Sequence, residues 1–219
     1  MKHNGKKHLQ IGGGLLMLFV LWTWLVQTMD VRPVGPQGTE VGFSSLNLWV
    51  HEVTGVHMWL YHITDWMGLV PVFVCVMFGG LGAVQLVRRR SLLRVDIDIL
   101  LLGLYYILVI GCYLAFEMMP VNYRPILIEG RLEASYPSST TLLVLSVMPT
   151  LIFQMQRRVK SGLVKKGTAA GVGVFVVFMV LGRLLSGVHW LTDIVGSILF
   201  SAGVFCIYTA AVLLCRKEK

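Results

Sequence analysis

The chain has 219 residues, of which 56% are hydrophobic and only 14% charged, with a mean hydropathy of +0.74. A soluble domain of this length needs far more polar surface, so the composition excludes a soluble enzyme or binding module and implies an integral membrane protein. The formal net charge of +8 raises the question of a nucleic-acid partner, which the placement of the charges answers in the negative.

Residues 1–10 are polar and basic, with Lys2, Lys6 and Lys7, and residues 11–29 form the first apolar run long enough to span a bilayer. No small-x-small cleavage site follows it, only Asp30-Val31-Arg32-Pro33, so the run reads as a first spanning helix or uncleaved anchor and not as a cleaved signal peptide. Pro33, Gly35, Pro36 and Gly38 mark a loop. Residues 41–65 mix Trp49, Trp59 and Tyr61 with His51, Glu52, His57, His62 and Asp65, the pattern of an interfacial helix leading into a span. The spacing of His57, His62 and Asp65 matches no recognised metal-ligand pattern. Further spans are expected at 66–87, kinked near Pro71, at 97–116, at 138–154, bent at Pro149, at 168–185 and at 190–214. A basic turn at 88–94, a polar segment at 117–137 and a basic segment at 155–167 separate them, and Arg216, Lys217 and Lys219 close the chain. Cys75, Cys112, Cys206 and Cys215 all lie in apolar runs without metal-ligand spacing and read as small packing residues.

Six spans define a topology. With the N-terminus cytoplasmic, the inside segments 1–10, 88–94, 155–167 and 215–219 hold 15 of the 19 lysines and arginines. The outside holds only Arg32, Arg124, Arg131 and Arg183. This is a strong positive-inside bias. It accounts for the basic charge as an orientation device, reinforced by anionic inner-leaflet lipids, with no nucleic-acid partner.

The chemistry gathers on the outer side. Arg183, His189 and Asp193 flank the breaker pair Ser186-Gly187 between the last two spans. Asp193, four residues after His189, is placed to reach back to the imidazole, fix its tautomer and support positive charge on it. A guanidinium fork beside an oriented histidine suits a phosphate group, the fork holding oxygens and the imidazole attacking phosphorus. Read blandly, the histidine and arginine are interfacial anchors, but an aspartate in a span is costly and needs a partner. A second piece is Arg124-Pro125, an arginine on a stiff backbone. A third is Pro137-Ser138-Ser139-Thr140, a helix start whose backbone N–H groups favour anions and whose Ser138 is equally an N-cap.

Together these pieces resemble the type 2 phosphatidic acid phosphatase (PAP2) superfamily. Its pattern is Lys-x6-Arg-Pro, then Pro-Ser-Gly-His, then Ser-Arg-x5-His-x3-Asp. The chain supplies Arg124-Pro125, Pro137-Ser138, and Arg183, His189 and Asp193 in that order. The resemblance implies an all-α integral membrane fold, a six-transmembrane-helix PAP2-like bundle with N- and C-termini cytoplasmic, forming one PAP2-like membrane domain over 1–219. It implies His189 as the nucleophile of a phosphohistidine intermediate, Asp193 as its orienting group, and Arg124, Arg183, Ser138, Ser139 and Thr140 around the phosphate. No metal or organic cofactor is implied. The substrate would be a lipid phosphate or diphosphate, hydrolysed on the outer face of a plasma (inner) membrane among membrane lipids; the oligomeric state is left open.

The departures are chemical. Glu117 stands where the family has lysine, Ser139 where it has glycine and Gly182 where it has serine. Thr140 stands where it has the histidine that protonates the leaving oxygen. Threonine does not ionise near neutral pH, and loss of general-acid catalysis typically costs ~10²–10⁴ in rate. Three readings follow. The substrate has a good leaving group, as a lipid diphosphate does. Or another group supplies the proton: Glu117, Glu129 or Glu133, or one of His51, His57 and His62. Or the protein only binds an anionic lipid or a membrane partner. A transporter fits less well, because the charges gather at one face and not at mid-membrane.

Overall fold

The computed structural model describes residues 2–215, so the basic end at 216–219 lies outside the described residues. Among the described residues there are eight α-helices, with the longest connections at 29–43 and 119–138: α1 (Lys2–Thr28), α2 (Ser44–Thr54), α3 (Met58–Met67), α4 (Leu69–Arg89), α5 (Ile97–Met118), α6 (Ser139–Arg158), α7 (Gly162–Leu185) and α8 (Leu191–Cys215). Six helical stretches are long and apolar enough to cross a membrane, α3 and α4 together forming the second. Outside them lie α2, two short 3-10 turns (Pro36–Gly38 and Leu92–Arg94) and isolated β-bridges.

The second span is longer than the apolar run suggests. It begins at Met58, because Trp59, Tyr61, His62 and Asp65 are carried on helix and not on an entry loop. Its joint is at Gly68, whose N–H reaches Thr64 O and Asp65 O at 3.0 Å. The helix is interrupted at Gly68, three residues before Pro71. Pro71 falls in the first turn of α4, where no intrahelical N–H is needed. The fourth span also outlasts its apolar run. It continues to Arg158 because Arg157 and Arg158 are anchored on Asp98: Arg158 Nη2 donates to both carboxylate oxygens at 2.9 Å, and Arg157 Nε to one of them at 3.4 Å.

Helices α6 and α8 form the centre of the bundle. Small residues let them approach, and their hydroxyls are bonded across the interface. Ser146 Oγ donates to Ser201 Oγ at 3.0 Å, Ser201 Oγ to Leu142 O at 3.1 Å and Ser197 Oγ to Ser138 O at 3.0 Å. Helix α1 lies along α8 just as closely: a β-carbon on Gly12 would stand 2.9 Å from Gly203 O. At its far end, Trp22 Nε1 donates to Thr192 O at 3.1 Å, and Thr23 shares a 2.7 Å hydrogen bond with the Tyr136 hydroxyl.

The loops at one end of the bundle are built, not slack. Tyr123 pairs with Ala134 and Ile128 with Arg131, around a turn whose central residues Glu129 and Gly130 have φ of 50° and 75°. Positive φ at both positions is the tight hairpin turn that matches strand twist. The hairpin faces the α7–α8 turn, where Gly187 has φ of 70° and a β-carbon would meet Gly55 O at 2.1 Å. Only glycine satisfies both the left-handed backbone and that approach. Gly187→Ala should therefore destabilise the fold by more than ~1 kcal/mol, a fall of about 2–4 °C in Tm per kcal/mol at this length. Gly173→Ala, in a helix interior with open space around it, should not lower Tm; thermal unfolding of the two variants in detergent checks this.

Candidate active site

Arg183 sits in the last turn of α7 and is 1% exposed. Its Nη2 donates to His189 Nε2 at 3.2 Å. A guanidinium can only donate, so this nitrogen of the imidazole carries the lone pair and the proton is on Nδ1. His189 itself is buried in the turn before α8. Asp193 does not reach it as a helical neighbour, because α8 starts only at Leu191. Instead Asp193 Oδ2 accepts from the Trp190 backbone N–H at 2.8 Å, the return half of a capping box.

Between imidazole and carboxylate stands Ser135. The Nδ1–H of His189 donates to Ser135 Oγ at 3.2 Å, and the Ser135 hydroxyl donates in turn to Asp193 Oδ2. The direct Nδ1–Oδ2 separation is 3.6 Å, an ion-pair distance and not a hydrogen bond. The direct contact expected between His189 and Asp193 is thus mediated by a hydroxyl. Asn122 Nδ2 donates to the other carboxylate oxygen at 3.5 Å. The hairpin makes this possible, because Ser135 N–H donates to Asn122 O at 2.9 Å and fixes the two residues side by side.

The same hairpin presents Arg124, whose N–H donates to Glu133 O at 3.1 Å. The Arg124 side chain is buried, and its guanidinium carbon lies 5.9 Å from the centre of the Tyr61 ring. That of Arg183 lies 5.0 Å from the centre of the same ring, so both guanidinium groups gather around one aromatic side chain. Their acid partners do not satisfy them. Glu133 Oε2 is 3.1 Å from Arg124 Nε, but the N–H is not directed at it, and Asp65 Oδ1 is 3.7 Å from Arg183 Nη1. The Nε and Nη1 groups of both arginines are buried without a hydrogen-bond acceptor. Four such donors beside an imidazole lone pair form a setting for an oxyanion with several oxygens.

The remaining residues singled out from sequence are placed less simply. Ser138 is buried at the start of α6, but its hydroxyl donates to Thr141 Oγ1 at 3.0 Å and its N–H to Asp193 O at 3.3 Å. Both of its donors are thus spent within the protein. Ser139 and Glu117 line one narrow cleft with Ser135 and Tyr136. Thr140 packs toward the α3–α4 joint, its Cγ2 3.5 Å from where a β-carbon on Gly68 would be. The histidines considered as proton donors lie elsewhere: His57 Nε2 bonds Thr54 O at 3.0 Å, the His51 ring lies 5.6 Å from that of Trp190, and His62 is exposed. Glu129 is exposed at the hairpin turn. Ser135, Asn122 and Tyr61 carried no sequence signal for these roles: a lone serine, a loop asparagine and an interfacial aromatic are common. No group of three or more His, Cys, Asp or Glu is placed to hold a metal ion among the described residues.

The sequence profile of the PAP2 superfamily matches residues 99–217, a stretch that contains every one of these motif residues. The chain belongs to the PAP2 superfamily. A crystal structure described as the first transmembrane PAP2-type phosphatidylglycerolphosphate phosphatase from Bacillus subtilis superposes with a TM-score of 0.69 at 16% identity, covering 95% of this chain and 98% of that one. Likeness at that identity establishes a shared fold. No curated protein matches the chain. At the level of the PAP2 family, the chain is an integral membrane protein of the lipid phosphatase type.

Burial holds the His189 pKa well below the ordinary histidine value of 6.5, and the positive charges of Arg124 and Arg183 push it lower; the hydrogen bond at Ser135 opposes them. The imidazole is thus neutral across the neutral range, with Nε2 free of a proton. In detergent-solubilised protein with labelled histidine, the His189 resonance should titrate well below pH 6.5, and Arg124→Ala, by removing one positive charge, should move that titration upward.

Proposed function

We propose that the protein is a lipid phosphatase that hydrolyses a lipid diphosphate, or another lipid phosphate with a good leaving group, through a phosphohistidine at His189. One observation carries the reading: the buried, unpaired N–H groups of Arg183 belong to the same fork that touches His189 Nε2. A phosphoryl group bound there lies against the lone pair that would attack it. Arg124 supports the remaining oxygens. As the N–P bond forms, the ring gains positive charge. Ser135 and Asp193 stabilise that charge by accepting from Nδ1–H in series. Glu117, an exposed carboxyl that shares a cleft with Ser139 at the α6 start, is the candidate proton donor, although a diphosphate needs little protonation because its leaving group is itself a phosphate monoester.

The orientation follows from the charges. The end holding the site carries few cations, whereas Arg88, Arg89, Arg90, Arg94, Arg157 and Arg158 gather at the other end. The positive-inside bias supports termini in the cytoplasm and a site on the outer face, as in a plasma (inner) membrane. A second reading, a PAP2-like protein that binds an anionic lipid or a membrane partner without turnover, is favoured by Thr140 in the place of the family's acid.

Purified protein offered a polyprenyl diphosphate, a phosphatidic acid and a phosphatidylglycerophosphate should release phosphate fastest from the diphosphate. His189→Ala should abolish release, and Arg183→Ala should lower kcat/KM by ~10²–10³, the usual loss for a donor to developing oxyanion charge. Silence of the wild type on all three, with retained lipid binding, would support the second reading. Ser135→Ala should lower kcat about 10–100-fold, the range seen when a ligand-orienting outer partner is lost, with Ser135→Thr restoring part of it.

A further inference from the structure

Helix α3 lies outside the stretch that the PAP2 profile matches, yet it is pressed into the site where the chain departs from the family pattern. At Gly182, in the place of the family serine, a β-carbon would stand 2.7 Å from Thr64 Cγ2 and 3.6 Å from Leu60 Cδ1. Thr140, in the place of the family histidine, packs toward Gly68 at the end of the same helix. Small side chains at 140 and 182 thus go with the close approach of α3. What α3 brings is Tyr61, over both guanidinium groups, and one turn on Asp65, 3.7 Å from Arg183 Nη1.

Asp65 lies within a candidate span, where an ionisable side chain needs a partner and usually a function. Its side chain is 57% exposed, unlike that of Arg183 at 1%, and it lies in the first turns of that span, at the end of the bundle that holds the site. It also flanks the same fork as the nucleophile: Arg183 Nη2 holds His189 Nε2 at 3.2 Å while Nη1 faces the carboxylate. A phosphoryl group on Nε2 would be held by that fork with Asp65 on its other side. Glu133 pairs with Arg124 instead, one guanidinium further from the nucleophile.

We propose that Asp65 is the general base of the second half-reaction, the hydrolysis of the phosphohistidine. The proposal rests on the phosphatase reading above. In the first half-reaction Nε2 bonds the terminal phosphorus of the diphosphate and the bridging P–O bond breaks. Its electron pair stays on the leaving lipid monophosphate, and no acid is required. In the second, a water oxygen bonds phosphorus while one of its protons passes to an Asp65 oxygen. The N–P bond breaks, its pair returns to Nε2, and inorganic phosphate departs. Asp65 then loses the proton to solvent. Asp65 meets the Arg183 fork at Nη1 while His189 meets it at Nη2, so by position it serves the water step, and the first step is left to the leaving group. The missing histidine is thereby dispensable for a diphosphate but not for a monoester.

Rapid-quench kinetics with a polyprenyl diphosphate labelled on its terminal phosphate test this on the full chain in detergent. Asp65→Asn should release about one lipid monophosphate per enzyme in a burst, accumulate acid-labile, base-stable phosphohistidine, and then turn over ~10² more slowly than wild type, within the usual range for a lost base. Added formate should restore part of that turnover, and Asp65→Glu should retain more of it than Asp65→Asn. Unchanged turnover in Asp65→Asn overturns the proposal. So does loss of burst and turnover together without formate rescue, whether the variant unfolds or merely binds poorly, if Asp65→Glu is equally impaired. A wild type that forms neither phosphohistidine nor lipid monophosphate instead removes the phosphatase reading, and this inference with it.

Discussion

Two guanidinium groups forced together in a buried place, with too few oxygens to satisfy them, are the constraint on which the site end of the bundle depends. Arg124 and Arg183 come from different parts of the chain and meet at the ring of Tyr61. Unpaired buried donors each cost ~1–3 kcal/mol, and two like charges add repulsion. The surrounding architecture holds them in spite of this. The hairpin fixes Arg124 from one side, the capped start of α8 fixes the imidazole, and α3 closes the third side with an aromatic ring and a carboxylate. Such a cluster is stored readiness for an anion, since the binding of one relieves both the repulsion and the unsatisfied donors.

The departures from the family pattern form a spatially connected set. The absence of a side chain at Gly182 leaves the room that Thr64 and Leu60 occupy, and Thr140 packs toward Gly68. Glu117, a charge reversal, lines a cleft with Ser139 at the start of α6. Each change looks like damage to a motif when taken alone. Two of them, at 140 and 182, lie against one wall of the site, the wall that α3 forms.

What could be read from the sequence depended on how local the physics is. The spans follow from hydropathy, and the arginines, His189 and Asp193 follow from a spaced pattern within one stretch of chain or from charge in an outer loop. The link of His189 to Asp193 was legible only in part, because the hydroxyl between them belongs to Ser135, 54 residues away from the histidine. The anion-holding part expected of Ser138 ran into another local rule: a serine at a helix start satisfies its own surroundings first, here Thr141 and the backbone of Asp193. The approach of α3 could not be read at all. Tyr61 and Asp65 look like an interfacial aromatic and a stray acid until the packing of Leu60 and Thr64 on Gly182 sets them beside the arginines.

Helix α1 holds no reactive group, yet it touches both halves of the reactive end. Trp22 grips the carbonyl of Thr192, next to Asp193, and Thr23 grips the hydroxyl of Tyr136, next to Ser135. The Gly12–Gly203 contact sets how deeply the helix lies against its neighbour. The first span thus works as a clamp as well as a tether. Any replacement leader of equal oiliness would keep the protein in the bilayer while leaving the serine and the aspartate free to drift apart.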